Sequence, residues 1–114
     1  MYSKPRFIQG VFPFAGQGTT HPFALPDAAY TVPAGQRAQL IYFRGGNTTD
    51  DLIYVILMRD GAPMRYFPVG AKASEHVALA VVEDILADTK IEVWLGAPKG
   101  VEGALILDIG LVEV

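Results

Sequence analysis

The sequence predicts an all-β fold, an antiparallel β-sandwich or jelly-roll-like barrel of about eight strands. Three features lead there. Apolar and aromatic runs of strand length recur along the chain, separated by clusters of Gly, Pro, Asn and Asp. No long segment repeats apolar residues at helical spacing between caps. Between two of the runs sits Asp60-Gly61, a hairpin signal because both central residues of a tight primed turn need positive φ.

The first strand is expected at Arg6–Phe14, aromatic and interrupted by Pro13, which cannot donate to a ladder and so marks an edge. Residues 15–29 read as a long irregular stretch pinned to the body by Phe23 and Leu25. Tyr30–Val32 leads into the turn Pro33-Ala34-Gly35, and Arg37–Arg44 is the next strand. The polar loop Gly45–Asp51 feeds an apolar strand, Leu52–Arg59, and Met64–Val69 returns antiparallel after the Asp60-Gly61 turn. Gly70–Ser74 connects to a strand at Glu75–Val82, while Glu83–Thr89 fits either a short helical turn or a crossing loop. Lys90–Ala97 and Ala104–Val114 are the last two strands, joined by Pro98–Gly103.

The apolar strand is the most informative segment. Successive side chains of a strand point to opposite faces, so a half-buried strand should alternate apolar and polar residues. Here Leu52, Tyr54, Ile56 and Met58 fall on one face and Ile53, Val55 and Leu57 on the other. Both faces want cover, which a second copy or a partner would supply. The expected core is Leu40, Val55, Leu57, Phe67, Leu79, Val93, Leu107 and Ile109.

With 114 residues, 51% of them apolar and 18% charged, residues 1–114 read as one domain able to bury a core of its own. No apolar run approaches the roughly 20 residues of a membrane span. Gln9, Gly10 and Pro13 interrupt the region behind Lys4 and Arg6, so no signal peptide is expected and the cytoplasm is the favoured compartment. The absence of cysteine excludes disulfides, thiolate metal sites and cysteine nucleophiles. A net charge of −3 argues against nucleic acid as a partner. Residues 1–49 carry four basic side chains against Asp27 alone, and residues 50–114 carry five basic against eleven acidic ones.

Catalytic material is sparse. Ser74, Glu75 and His76 are consecutive, and neighbours in an extended chain point to opposite faces, so they form no relay. Gly16-Gln17-Gly18-Thr19-Thr20-His21 is followed by Pro22 and Pro26 rather than by the helix a phosphate-cradling loop needs. His21, His76 and Asp50-Asp51 lack the spacing of a metal site, and the Asn, Thr and Asp of the 47–51 loop suit a turn that satisfies its own backbone. Arg37, Tyr42, Phe43 and Arg44 are too small a fragment of a basic aromatic stripe to hold nucleic acid. No catalytic residue, metal or cofactor is expected, and the chain reads as a non-enzyme.

Trp94 stands apart. Ile91, Val93 and Leu95 form an inward set, leaving Trp94 outward with Lys90 and Glu92. Leu105, Leu107, Ile109 and Leu111 are the inward set of the last strand, with Ile106, Asp108 and Val112 outward. If these strands pair, Trp94 and Asp108 become cross-strand neighbours. With Tyr54 and Tyr66 nearby they would make a platform for a sugar ring. The same Trp94, with Phe7, Phe12 and Phe14, would equally anchor an interface, and a third reading has a loop such as the 15–29 segment simply cover it. The expected function is therefore a non-enzymatic module that self-associates or docks into a larger assembly, with a carbohydrate-binding, lectin-like module as the alternative.

Overall fold

The computed structural model describes residues 3–114. Met1 and Tyr2 lie outside the described residues. Among the described residues nine strands form: β1 (Lys4–Ala15), β2 (Gly18–Thr31), β3 (Ala38–Asn47), β4 (Ile53–Arg59), β5 (Ala62–Val69), β6 (Ser74–Ala78), β7 (Asp84–Ile85), β8 (Lys90–Ala97) and β9 (Glu102–Glu113). They make two antiparallel sheets packed into a β-sandwich. The five-stranded sheet has the order β1-β9-β3-β6, with β7 also pairing β3, and the four-stranded sheet has the order β2-β8-β4-β5. No helix among the described residues is long and apolar enough to cross a membrane.

One cluster of buried side chains fills the space between the sheets, drawn from the alternating inward positions of both. Phe43 from one sheet stacks on Phe67 from the other with ring centroids 4.1 Å apart. Leu40, Val55, Leu57, Phe67, Val93, Leu107 and Ile109 are all buried as expected. Leu79 packs against the cluster but is only partly covered. At the hairpin between β4 and β5, Asp60 and Gly61 take φ of 48° and 81°, the pair of left-handed residues that a primed turn requires.

Several expectations are corrected. Residues 18–31 form a strand, not an irregular stretch, although its pairing with β8 is broken by register shifts between Gly18 and Phe23 and between Ala24 and Ala29. Pro22, Pro26 and the positive φ of Asp27 hide this strand from a pattern search, since bulges interrupt the two-residue period. The strand expected at 75–82 stops at Ala78. The following segment crosses the open edge of the sandwich without a helix. It is held by Glu83, which accepts hydrogen bonds from Arg59 (3.1 Å) and Arg65 (2.6 Å).

The two-faced strand also behaves differently from expectation. Ile53, Val55 and Leu57 are fully buried on the inner face, and Ile56 and Met58 on the outer face are only 4% and 6% exposed. Of the outer set, the single chain buries Ile56 and Met58, because β4 is central and flanked by the large side chains of β8 and β5, while Leu52, just before the strand, is 62% exposed. Within β4 itself, Ile53–Arg59, the apolar side chains of both faces are buried by the chain's own neighbours.

Candidate docking face

The last two strands do not pair. β8 lies between β2 and β4, and β9 lies between β1 and β3 in the other sheet. Trp94 and Asp108 consequently sit on opposite outer faces of the sandwich, and the platform that combined them does not form. Trp94 keeps company with Tyr54 and Tyr66: Trp94 pairs with Ile56, which pairs with Tyr66, and Tyr54 precedes Ile56 by two. Tyr54 lays its ring over Gly96, its cross-strand partner, where an added Cβ would come within 2.2 Å of the ring. Its hydroxyl donates to the Thr19 carbonyl. The indole N–H of Trp94 is shielded from solvent and has no acceptor among the described residues.

The expected interface aromatics divide as well. Phe14 is buried and Phe12 packs against the core, so neither offers free surface, whereas Phe7 is 52% exposed. Phe7 belongs to the outer face of the five-stranded sheet. Register places three rows of outward side chains across β1, β9, β3 and β6. Val11, Ile106, Gly46 and Ser74 form one row, Gln9, Asp108, Arg44 and His76 the next, and Phe7, Gly110, Tyr42 and Ala78 the third.

A bulge puts Tyr42 and Arg44 there. Leu40 pairs with Leu111 and Tyr42 with Gly110, which leaves Ile41 as an extra residue. Leu40 points into the core, and the inserted residue turns Tyr42 and Arg44 outward while Phe43 takes the inward position. Without it, the two-residue period would send both of them inward with Leu40.

The polar centre of this face is preorganised. Gln9 Nε2 donates to Asp108 Oδ1 at 3.0 Å and Tyr42 Oη donates to the same oxygen at 2.9 Å. These two bonds, aided by the charge of Arg44, hold the Asp108 carboxyl below its usual range. Partial burial, with the bond to Asp108, pushes the Tyr42 phenol up. The Tyr42 ring lies over Gly110, where a Cβ would come within 2.1 Å of the ring, so glycine is required for this seating. The Arg44 guanidinium sits 5.5 Å from the Tyr42 ring centroid, and His76 meets that ring edge-on at 6.1 Å.

Two binding groups remain unused. Among the described residues Asp108 Oδ2 takes no hydrogen bond, and Arg44 is the one arginine without an ion pair. Beside them is an open depression of about 550 Å³, floored by Gly46 and bordered by Arg44, Ser74, Glu75, His76, Ile106 and Asp108. Around this centre Phe7, Val11 and Ile106 are 52%, 65% and 50% exposed. Of these, the sequence offers Phe7 and Asp108 as binding candidates and sets Ile106 outward beside Asp108. The further signal is Val11, which with Ile106 is an apolar residue at a position where the alternation asks for a polar one.

The other candidates are structural. The 47–51 loop is closed around Asn47, whose side chain bonds Thr49, Asp51, Val69 and Gly70. No group of three or more potential metal ligands converges among the described residues. Ser74 and His76 share a face, as the strand period requires, but no hydrogen bond joins them among the described residues. No protein-family model, curated protein or solved structure matches the chain.

Proposed function

We propose that this chain is a non-enzymatic β-sandwich module that self-associates or docks into a larger assembly, using the outer face of the five-stranded sheet. The observation that carries the reading is the grouping of Phe7, Val11 and Ile106, each at least half exposed, on adjacent strands of one face. Exposed apolar side chains clustered around a rigid polar centre are the makeup of an interface core with its orienting groups.

Edges are poor alternatives. Pro5 and Pro13 lie in β1, Pro22 and Pro26 in β2, and Pro63 and Pro68 in β5, and proline blocks the addition of another strand. β6 is free of proline but only five residues long. Sedimentation velocity over a concentration series tests self-association through the face. The wild-type chain is expected to associate in the micromolar range, and Val11→Glu with Ile106→Glu to be monomeric. A double variant that associates like wild type would overturn the assignment of the face.

The carbohydrate-binding alternative draws on Tyr54, Trp94 and Tyr66 sharing the outer face of the other sheet. It lacks the carboxylate that Asp108 was to contribute. Loss of glycan retention on Tyr66→Ala, at unchanged oligomer size, would favour it.

A further inference from the structure

We infer that the partner of this face is a second copy of the same chain, packed face to face about a twofold axis that runs along the strands between β9 and β3. The inference rests on the docking reading above and names its occupant. Such an axis exchanges β9 of one copy with β3 of the other, and β1 with β6, while keeping each row at its own height. The rows then complement one another. In the first, Ile106 enters the depression floored by Gly46 of the second copy, and Val11 meets Ser74. In the second, Asp108, with its unused Oδ2, faces the unpaired Arg44. In the third, Phe7 faces Ala78. Each contact occurs twice, which is the self-complementarity an isologous interface demands.

Charge and shape thus point to the same operator. Arg44, without an ion pair among the described residues, and Asp108 lie on neighbouring strands, with the Glu75 carboxylate at the rim of the depression, and the Arg44 and Asp108 positions match across the twofold image. Strand spacing of about 4.8 Å and a rise of about 3.4 Å per residue give the three rows across four strands a footprint of roughly 400 Å².

The test is a charge exchange read by sedimentation equilibrium on the full chain. Arg44→Asp alone and Asp108→Arg alone each place like charges opposite one another, and each should weaken the dimer by roughly a hundredfold. An equimolar mixture of the two variants restores both ion pairs and should re-form a one-to-one dimer. Gly46→Leu is an independent variant that leaves the Asp108 cluster intact. Its Cβ would make only ordinary contact, 3.6 Å from Ile106, so the fold should accept it, while the filled depression should abolish the dimer. If Val11→Glu with Ile106→Glu dissociates the protein but the mixture fails to re-form a dimer and Gly46→Leu remains dimeric, the twofold arrangement is wrong and the docking face survives. A wild-type chain that stays monomeric at high micromolar concentration would overturn the inference and the self-association reading together.

Discussion

Replacing Asn47 should be among the most damaging single changes outside the hydrophobic core. Asn47 ends β3 and is 4% exposed. Its Nδ2 donates to the carbonyls of Asp51 (2.7 Å), Gly70 (3.0 Å) and Val69 (3.2 Å), and its Oδ1 accepts from Thr49 N (2.9 Å) and Thr49 Oγ1 (2.8 Å). One side chain thus ties the loop after β3 to the end of β5. Asn47→Ala leaves those groups without their partner. A buried polar group stripped of its bond costs about 1–3 kcal/mol. Because Asp51 is exposed and water can reach it, we expect a total of about 2–4 kcal/mol. For a chain of this length that lowers Tm by roughly 8–15 °C.

Asn47→Asp has nearly the same shape and replaces the donor by an oxygen facing three carbonyls. Its carboxyl should be raised above the ordinary value in the folded protein, since the charged form has no donor on that side. A raised folded value means that the native state holds the proton more tightly. The variant is then least impaired below the unfolded carboxyl value, near pH 4, and loses stability as pH rises towards the folded value. Thermal unfolding followed by circular dichroism at several pH values reads both effects. An Asn47→Ala protein melting within about 2 °C of wild type, or an Asn47→Asp protein whose deficit shrinks as pH rises, would refute this account of the loop.

Two further outcomes follow from the core and from the Asp108 cluster. Leu107→Ala removes a side chain that is 2% exposed at the centre of β9 and should cost about 2–5 kcal/mol in denaturant unfolding; an unchanged midpoint would contradict its place in the core. Tyr42→Phe deletes one of the two hydrogen bonds to Asp108 Oδ1, so the Asp108 carboxyl should titrate closer to its ordinary value in an NMR pH series. Since that carboxyl is held low in the folded protein, its stabilising contribution is present above the unfolded value and lost as pH falls through the folded one. The variant should therefore lose less stability on acidification, and an identical Asp108 titration curve would show that the Tyr42 bond does not hold the carboxyl down.

Local chemistry made much of the fold legible in advance. The turn at Asp60-Gly61 needs only residues that tolerate positive φ, and Pro13 marks an edge because proline lacks an N–H wherever it sits. The inward sets of β8 and β9 follow from a two-residue period that no distant contact changes. Trp94 was placed on an outer face for the same reason. Strands with bulges were not legible in this way. An extra residue shifts the period, so β2 reads as irregular until its partner β8 reveals the register.

The sequence by itself determined the fold class, most of the core and the outward direction of Trp94, Ile106 and Asp108, because these depend on alternation along one strand. Only the tertiary structure decided which strands became neighbours. It sent β8 and β9 to different sheets, which separated Trp94 from Asp108. It inserted Ile41 as a bulge, which turned Tyr42 and Arg44 to the surface beside Asp108. It also covered both faces of β4 from within the chain, where periodicity alone called for a partner. Strand pairing is a choice among long-range contacts of nearly equal local preference, and it is settled by which arrangement buries the whole apolar set at once. That global condition is not written in any single segment.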